Sequence, residues 1–155
     1  MTPNGKTAKI PHPIWSYGLV FSQFALIALL TYLSFPWSLD YWVLVIQSAA
    51  IFLGLWALKS MHLGHFNIIP DPMPEIDLVT TGPYRFIRHP MYASILYFFA
   101  PVAISENRAA IWVPFLLLAL TLILKLSYEE ALLKRKLQDY ALYQEKTCRL
   151  LPYLF

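Results

Sequence analysis

Four long stretches without a charged residue dominate this sequence and limit what it can fold into. They are Ile14–Leu39, Tyr41–Leu58, Pro90–Ser105 and Ala109–Leu124. A helix that crosses a lipid bilayer needs about 20 mostly apolar residues, within a range of about 17–25. The first two stretches meet this requirement, and the last two meet it only if flanking residues are included or the bilayer thins locally.

The composition agrees with a membrane location. Hydrophobic residues make up 58% of the 155 residues and charged residues only 14%, whereas a soluble domain is about 25% charged. We therefore predict an all-α integral membrane bundle in one domain, with about four transmembrane helices. The predicted parts are an N-terminal leader (1–13), two spans (14–58), a cytoplasmic loop (59–89), a helical hairpin (90–127), and a cytoplasmic, amphipathic C-terminal helix with its tail (128–155).

The basic residues predict the orientation of this bundle. With four spans, eleven of the 12 lysines and arginines fall at one end and only Arg108 falls at the other. Basic residues accumulate on the cytoplasmic side of membrane proteins, so both termini and the 59–89 loop are expected to face the cytoplasm. The net charge of +3 is thus a sign of topology and of contact with membrane lipids, not of nucleic-acid binding.

The stretch TGPYRFIRHPMYAS, at Thr81–Ser94, is the most polar segment between the apolar runs. Because the residue before a proline avoids the α region and proline favours the first helical position, His89 should cap a helix that starts at Pro90. A helix N-terminus attracts anions, and Arg85 and Arg88 would strengthen that field. Alternatively, the two arginines only anchor the chain to lipid head groups, and His89 is only a cap.

A second polar group, KLSYEE at Lys125–Glu130, lies where the last apolar stretch ends. Carboxylates at this depth are costly to desolvate and normally find cations. Glu129 and Glu130 point about 100° apart on a helix, so only one of them can face a given ligand. Alternatively, Glu130–Lys134 and Lys125–Glu129 form ordinary i,i+4 pairs, which contribute about 0.3–0.5 kcal/mol when exposed.

Other recognisable sites are weak or missing in the sequence. His62 and His65 in HLGH could share a helix face, but no further ligand accompanies them and we expect no metal site. The sequence contains no glycine-rich dinucleotide fingerprint, no phosphate-binding loop and no nucleophile elbow.

The segment LVTTGPYRFIRHPMYAS, followed by EEALL and then by YALY and RLLP, resembles the isoprenylcysteine carboxyl methyltransferase family. That family is itself similar to the phospholipid N-methyltransferases. The resemblance covers about residues 67–152 and implies an integral membrane enzyme that uses S-adenosylmethionine. It further implies methylation of a lipophilic acceptor at the cytoplasmic face, with the cofactor held by the 59–89 loop and the helices beside it.

Carried over by position, the resemblance also implies individual roles. The cofactor-binding residues, with Arg88 and Glu130 added for their charges, are Leu78, Val79, Tyr84, Arg88, His89, Pro90, Met91, Tyr92, Glu129 and Glu130. Lys125 is the predicted substrate-binding residue, because it stands where prenylcysteine-specific members have an arginine; lysine keeps the charge but loses the bidentate fork. The Phe-Gly pair of the family is absent, since this chain has Leu137-Gln138 instead.

The sequence leaves the acceptor open. A carboxylate needs no general base to act as a nucleophile, and no obvious base is present, so a carboxylate is favoured over a thiol or an amine. Two other functions remain as alternatives: a non-catalytic membrane scaffold or assembly protein, and an NADPH-dependent sterol-type reductase. The reductases are much longer and have more spans, which makes them the less favoured alternative. The sequence does not predict an oligomeric state.

Overall fold

The computed structural model describes residues 13–35, 40–61 and 78–152 of the chain. Over these residues the protein is helical, as predicted. The α-helices are α1 (Pro13–Leu33), α2 (Tyr41–Ser60), α3 (Pro90–Glu106), α4 (Ala109–Lys136) and α5 (Tyr140–Lys146), and a 3-10 helix, Gly82–Arg85, precedes α3. Residues 1–12 of the predicted leader and residues 62–77, about half of the predicted 59–89 loop, lie outside the described residues.

Three of the helices, α1, α2 and α4, are long and apolar enough to cross a membrane. Helix α3 has 17 residues, which gives about 25 Å at 1.5 Å per residue against a hydrocarbon thickness of about 30 Å. The prediction of a membrane protein is thus confirmed for three helices, and the predicted fourth span, α3, stays a prediction.

Helix α3 nevertheless runs antiparallel to α2 between the same two ends of the bundle. Gln47 of α2 donates a hydrogen bond to the Phe98 carbonyl at 3.4 Å. Beyond it, the Ser105 hydroxyl donates to Asp40 Oδ2 at 2.8 Å. At the α3–α4 turn, Arg108 donates to the Leu33 carbonyl at 3.3 Å, so this turn lies beside the connection between α1 and α2.

The helices pack as two pairs, α2 with α3 and α1 with α4, which are joined by the contact of α3 with α4. Leu30, Ile111, Leu118 and Leu122 are completely buried at the centre. Large apolar side chains on the outside, such as Phe52, remain exposed, as expected where lipid replaces water. Helices α1 and α2 follow each other in the chain but make few direct contacts, and this separation leaves room for a cavity between them.

Glycine is required at one position that shapes the end of α2. Gly82 has φ +61° in the described structure, and a Cβ atom there would collide with the Ser60 side chain and approach Trp56 Nε1 to 3.2 Å. Only a glycine adopts this backbone without strain. Gly82 therefore lets the 3-10 helix pack closely against the C-terminal end of α2 and brings Tyr84 and the residues after it to the bundle.

Candidate active site

The Arg88-His89-Pro90 segment has the local structure that its sequence predicts. His89 is the N-terminal cap of α3 with φ −124°, and Pro90 occupies the first helical position. The residues before Pro90 also form backbone hydrogen bonds with the C-terminal segment, which comprises the described residues after α5 (147–152). Arg88 N–H donates to the Cys148 carbonyl at 2.8 Å, His89 N–H donates to the Arg149 carbonyl at 3.1 Å, and Cys148 N–H donates to the Phe86 carbonyl at 3.1 Å. The start of α3 is therefore held in place by the C-terminal segment.

Glu130 organises this junction from α4. The residue is only 3% exposed. Its carboxylate accepts hydrogen bonds from Arg88 Nε at 2.7 Å and Arg149 Nε at 3.2 Å. Gln144 Nε2 donates to it at 3.1 Å, and His89 Nε2 lies 3.2 Å away. Because its partner is a carboxylate, His89 Nε2 carries a proton and donates. Glu130 thus binds the chain's own cations and fixes the C-terminal segment to α3 and α4.

Arg88 also makes all of its described hydrogen bonds to other groups of the protein. Besides its bond to Glu130, the Arg88 guanidinium donates through Nη1 to the carbonyls of Gln144 and Thr147. The two i,i+4 pairs that the sequence offered as an alternative, Glu130–Lys134 and Lys125–Glu129, do not appear among the ion pairs of the described residues. Glu130 pairs with distant residues instead.

Glu129 has quite different surroundings from its neighbour. Its side chain is 28% exposed and lies 3.9 Å from His89 Nδ1, and Tyr92 donates its hydroxyl proton to Glu129 Oε2 at 2.9 Å. The His89 and Tyr92 rings stack with their centroids 5.4 Å apart. Two aromatic rings and a carboxylate therefore form one continuous surface at the start of α3.

Two cavities meet at this surface. The larger, of about 420 Å³, extends between α1 and α2 and has apolar walls that include Phe24 and Leu55. The smaller, of about 70 Å³, extends towards α5. The larger volume lies within the range of about 300–1,000 Å³ that is typical of ligand pockets. The walls common to both cavities are Met61, Tyr84, Arg88, His89 and Glu129.

The structure brings nearly all of the predicted site residues to these two cavities. Leu78 and Val79 line the smaller cavity. Those that line the larger one are Tyr84, Arg88, His89, Pro90, Met91, Tyr92, Lys125 and Glu129. Glu130 lines neither of them, since it lies behind His89 and Arg88. Its predicted contact with a cofactor stays a prediction, whereas the structure shows its contacts within the protein.

Tyr84 presents a polar group to both cavities. Burial raises the pKa of its phenol, and the nearby Glu129 carboxylate raises that pKa further, so the hydroxyl stays protonated and can donate. This hydroxyl has no hydrogen-bond partner in the described part of the chain. Tyr143, whose pKa is raised mainly by burial, donates to the Tyr84 carbonyl at 2.6 Å and so fixes the backbone that carries the phenol.

Sequence reasoning missed the residues that come from distant parts of the chain. Gln23 of α1 lines the larger cavity and accepts a hydrogen bond from Lys125 Nζ at 2.8 Å. Tyr143, Gln144 and Arg149 hold the site from behind. A signal for Gln23 was present, because an amide inside a charge-free span needs a buried partner. Tyr143 and Arg149 belong to the YALY and RLLP stretches that carry the family resemblance, but no role was predicted for them, and nothing local identified Gln144.

A metal role receives no support from the described residues, in which His, Cys, Asp and Glu form no cluster that could hold an ion. His62 and His65 lie outside the described residues.

A comparison with protein-family models identifies the relatives of this chain. The model of the phospholipid methyltransferases matches residues 39–139, which include α2, α3, α4 and both polar segments of the site. The chain belongs to the phospholipid methyltransferase family. The resemblance to membrane methyltransferases that the two motifs indicated is thus confirmed. Among curated proteins, none matches the sequence closely enough to count as a relative. Helix α1 and the C-terminal segment lie outside the matched residues.

Proposed function

We propose that this protein transfers the methyl group of S-adenosylmethionine to a lipophilic acceptor, with a carboxylate as the favoured acceptor group. The observation that carries the proposal is the shared wall of the two cavities, formed by Tyr84, His89 and Glu129 among others. Because the two cavities adjoin at these residues, a methyl donor in one cavity and an acceptor in the other would have their reacting atoms close together there.

The side chains at the shared wall fit the charges of such a cofactor. Its sulfonium and ammonium groups are cations, which a carboxylate and aromatic faces attract. Glu129 is the first of the two neighbouring glutamates. One of its carboxylate oxygens accepts no hydrogen bond within the described part of the chain. Tyr84 and Tyr92 supply ring faces beside it. When bound, the cofactor would supply an electrophilic methyl group on positively charged sulfur.

The chain's own residues would contribute alignment and exclusion of water. The stacked rings of His89 and Tyr92 and the hydrogen bond from Tyr92 to Glu129 hold the wall rigid, so that two bound molecules would keep one orientation. Phe24, Ile27 and Leu55 make the acceptor side apolar, which keeps water away from the reacting atoms. A carboxylate acceptor would donate an oxygen lone pair to the methyl carbon as the carbon–sulfur bond breaks. The products would be a methyl ester and a neutral thioether.

We infer the orientation from the basic residues at the site's end of the bundle. Lys59, Arg85 and Arg149 belong to segments at that end, whereas Arg108 lies at the turn beside the connection between α1 and α2. This distribution favours a cytoplasmic site with both termini cytoplasmic. A water-soluble cofactor would then enter from the cytoplasm, while a lipophilic acceptor would enter from the bilayer.

Calorimetric titration of the detergent-purified protein tests this proposal. Saturable binding of S-adenosylmethionine, absence of NADPH binding, and loss of binding in Glu129→Gln are the expected results. Glu106→Gln is a matched control, because Glu106 forms an exposed pair with Arg108 far from the site and its loss should leave binding unchanged. Binding of NADPH instead would support a reductase. Binding of neither ligand by the folded protein would support a scaffold and end the methyltransferase proposal.

A further inference from the structure

The inner end of the larger cavity carries a buried pair of polar side chains, Gln23 on α1 and Lys125 on α4. The Lys125 ammonium donates to Gln23 Oε1 at 2.8 Å, and it lies 5.2 Å from the centroid of the Tyr92 ring. Lys125 is 2% exposed and Gln23 is 6% exposed, yet both line the cavity. Both side chains therefore border the space that an acceptor would occupy.

Lys125 has no ion-pair partner among the described residues, and the Glu129 carboxylate acts on its charge only from a greater distance. Glu129, one helical turn further along α4, accepts a hydrogen bond from Tyr92 and lies next to His89. Its negative charge would be balanced by the cation of the methyl donor. An ammonium in an apolar environment without a counter-ion is unfavourable, so the cavity favours a ligand that brings one negative charge.

Gln23 binds the Lys125 ammonium without neutralising its positive charge. A neutral amide oxygen satisfies one of the three N–H groups of Lys125 and fixes its position, but it adds no negative charge. A glutamate with the same shape would form an ion pair with Lys125 at the same 2.8 Å and would remove the need for an anionic ligand.

We propose that Gln23, on the helix outside the matched family region, is a specificity-determining residue: because its side chain is neutral where a carboxylate would pair with Lys125, the acceptor cavity selects an acidic head group. The proposal rests on the proposed function, because it concerns the acceptor side of that site. It concerns which acceptors bind, whereas the titration with S-adenosylmethionine tests whether a methyl donor binds.

The test compares two probes with the same C16 chain, palmitate and hexadecanol, for binding to the purified full-length protein. The wild type should bind palmitate at least about tenfold more tightly, which corresponds to one hydrogen bond to a charged group. Gln23→Glu should abolish this preference by weakening palmitate binding about tenfold, while hexadecanol binding is unchanged. Lys125→Met should abolish the preference as well.

Two further variants separate charge from packing. Gln23→Met removes the hydrogen bond but keeps the Lys125 charge, so the preference for palmitate should persist. Gln47→Leu is a matched control, because Gln47 is also a buried glutamine in the bundle but does not line the larger cavity; it too should keep the preference.

The thermal midpoint of the unliganded protein gives a readout that needs no acceptor. Gln23→Glu should unfold at or above the wild-type temperature, because its new carboxylate pairs with Lys125. In a Lys125→Met background the same substitution should lower the midpoint, because the carboxylate is then buried alone. The proposal is overturned if the wild type does not discriminate between the probes, if Gln23→Glu keeps the preference, or if Gln23→Met loses it. A failure of the methyl-donor titration with the head-group preference intact would instead refute the proposed function alone.

Discussion

Replacing Glu130 by glutamine should release the C-terminal segment from the site. The substitution keeps the shape of the side chain but removes its charge, and it turns one oxygen into an NH₂ group that faces donors. The Arg88 guanidinium, with a side chain 9% exposed, would lose its counter-ion. Removing one partner of a buried ion pair costs about 3–5 kcal/mol. The bond from Arg149 adds little, because the Arg149 side chain is 36% exposed and exposed pairs contribute about 0–1 kcal/mol.

The loss of stability in Glu130→Gln should appear as local opening of the C-terminal segment before it appears as global unfolding. The amides of Arg88, His89 and Cys148 form the hydrogen bonds between the start of α3 and the C-terminal segment, so their hydrogen exchange should accelerate in Glu130→Gln. At about 3 kcal/mol the acceleration would exceed a hundredfold. Amides in the centre of α4 should exchange as they do in the wild type.

Glu129→Gln is the matched control for this experiment. Glu129 is the adjacent residue, more exposed, and it accepts one hydrogen bond from Tyr92, so its replacement should cost about 1 kcal/mol and leave the three amides protected. Its expected effect is on cofactor binding. Unchanged exchange in Glu130→Gln, or equal acceleration in both variants, would refute the division of roles between the two carboxylates.

Two further substitutions test the packing around the site. Gly82→Ala should lower the free energy of unfolding by more than about 1 kcal/mol, because alanine is strained at φ +61° and collides with Ser60; Gly18→Ala, where a Cβ meets nothing within 4 Å, should be neutral or slightly stabilising in the same thermal assay. Tyr143→Phe should cost about 1 kcal/mol by removing the buried bond to the Tyr84 carbonyl and should weaken cofactor binding through Tyr84. Equal midpoints for the two alanine variants, or a Tyr143→Phe protein with wild-type stability, would contradict the respective contact.

The site itself was only partly predictable from the sequence. The cap at His89 and the helix start at Pro90 follow from local backbone preferences, and the structure shows both. The roles of the adjacent glutamates could not be assigned in this way, since a helix only guarantees that they point in different directions. It is the position of Arg88 and the C-terminal segment that turns Glu130 inwards and leaves Glu129 beside the cavities.

By itself, the sequence determined the helices, the membrane location and the family. In lipid a chain must satisfy its backbone hydrogen bonds internally, so apolar runs of sufficient length fold into helices whatever their neighbours are. Only the tertiary structure decided which residues meet. Lys125 and Gln23 are 102 positions apart, and Arg88 and Thr147 are 59 apart. Such contacts depend on how α1 packs against α4 and where the chain returns after α5, and no local pattern in the sequence carries that information.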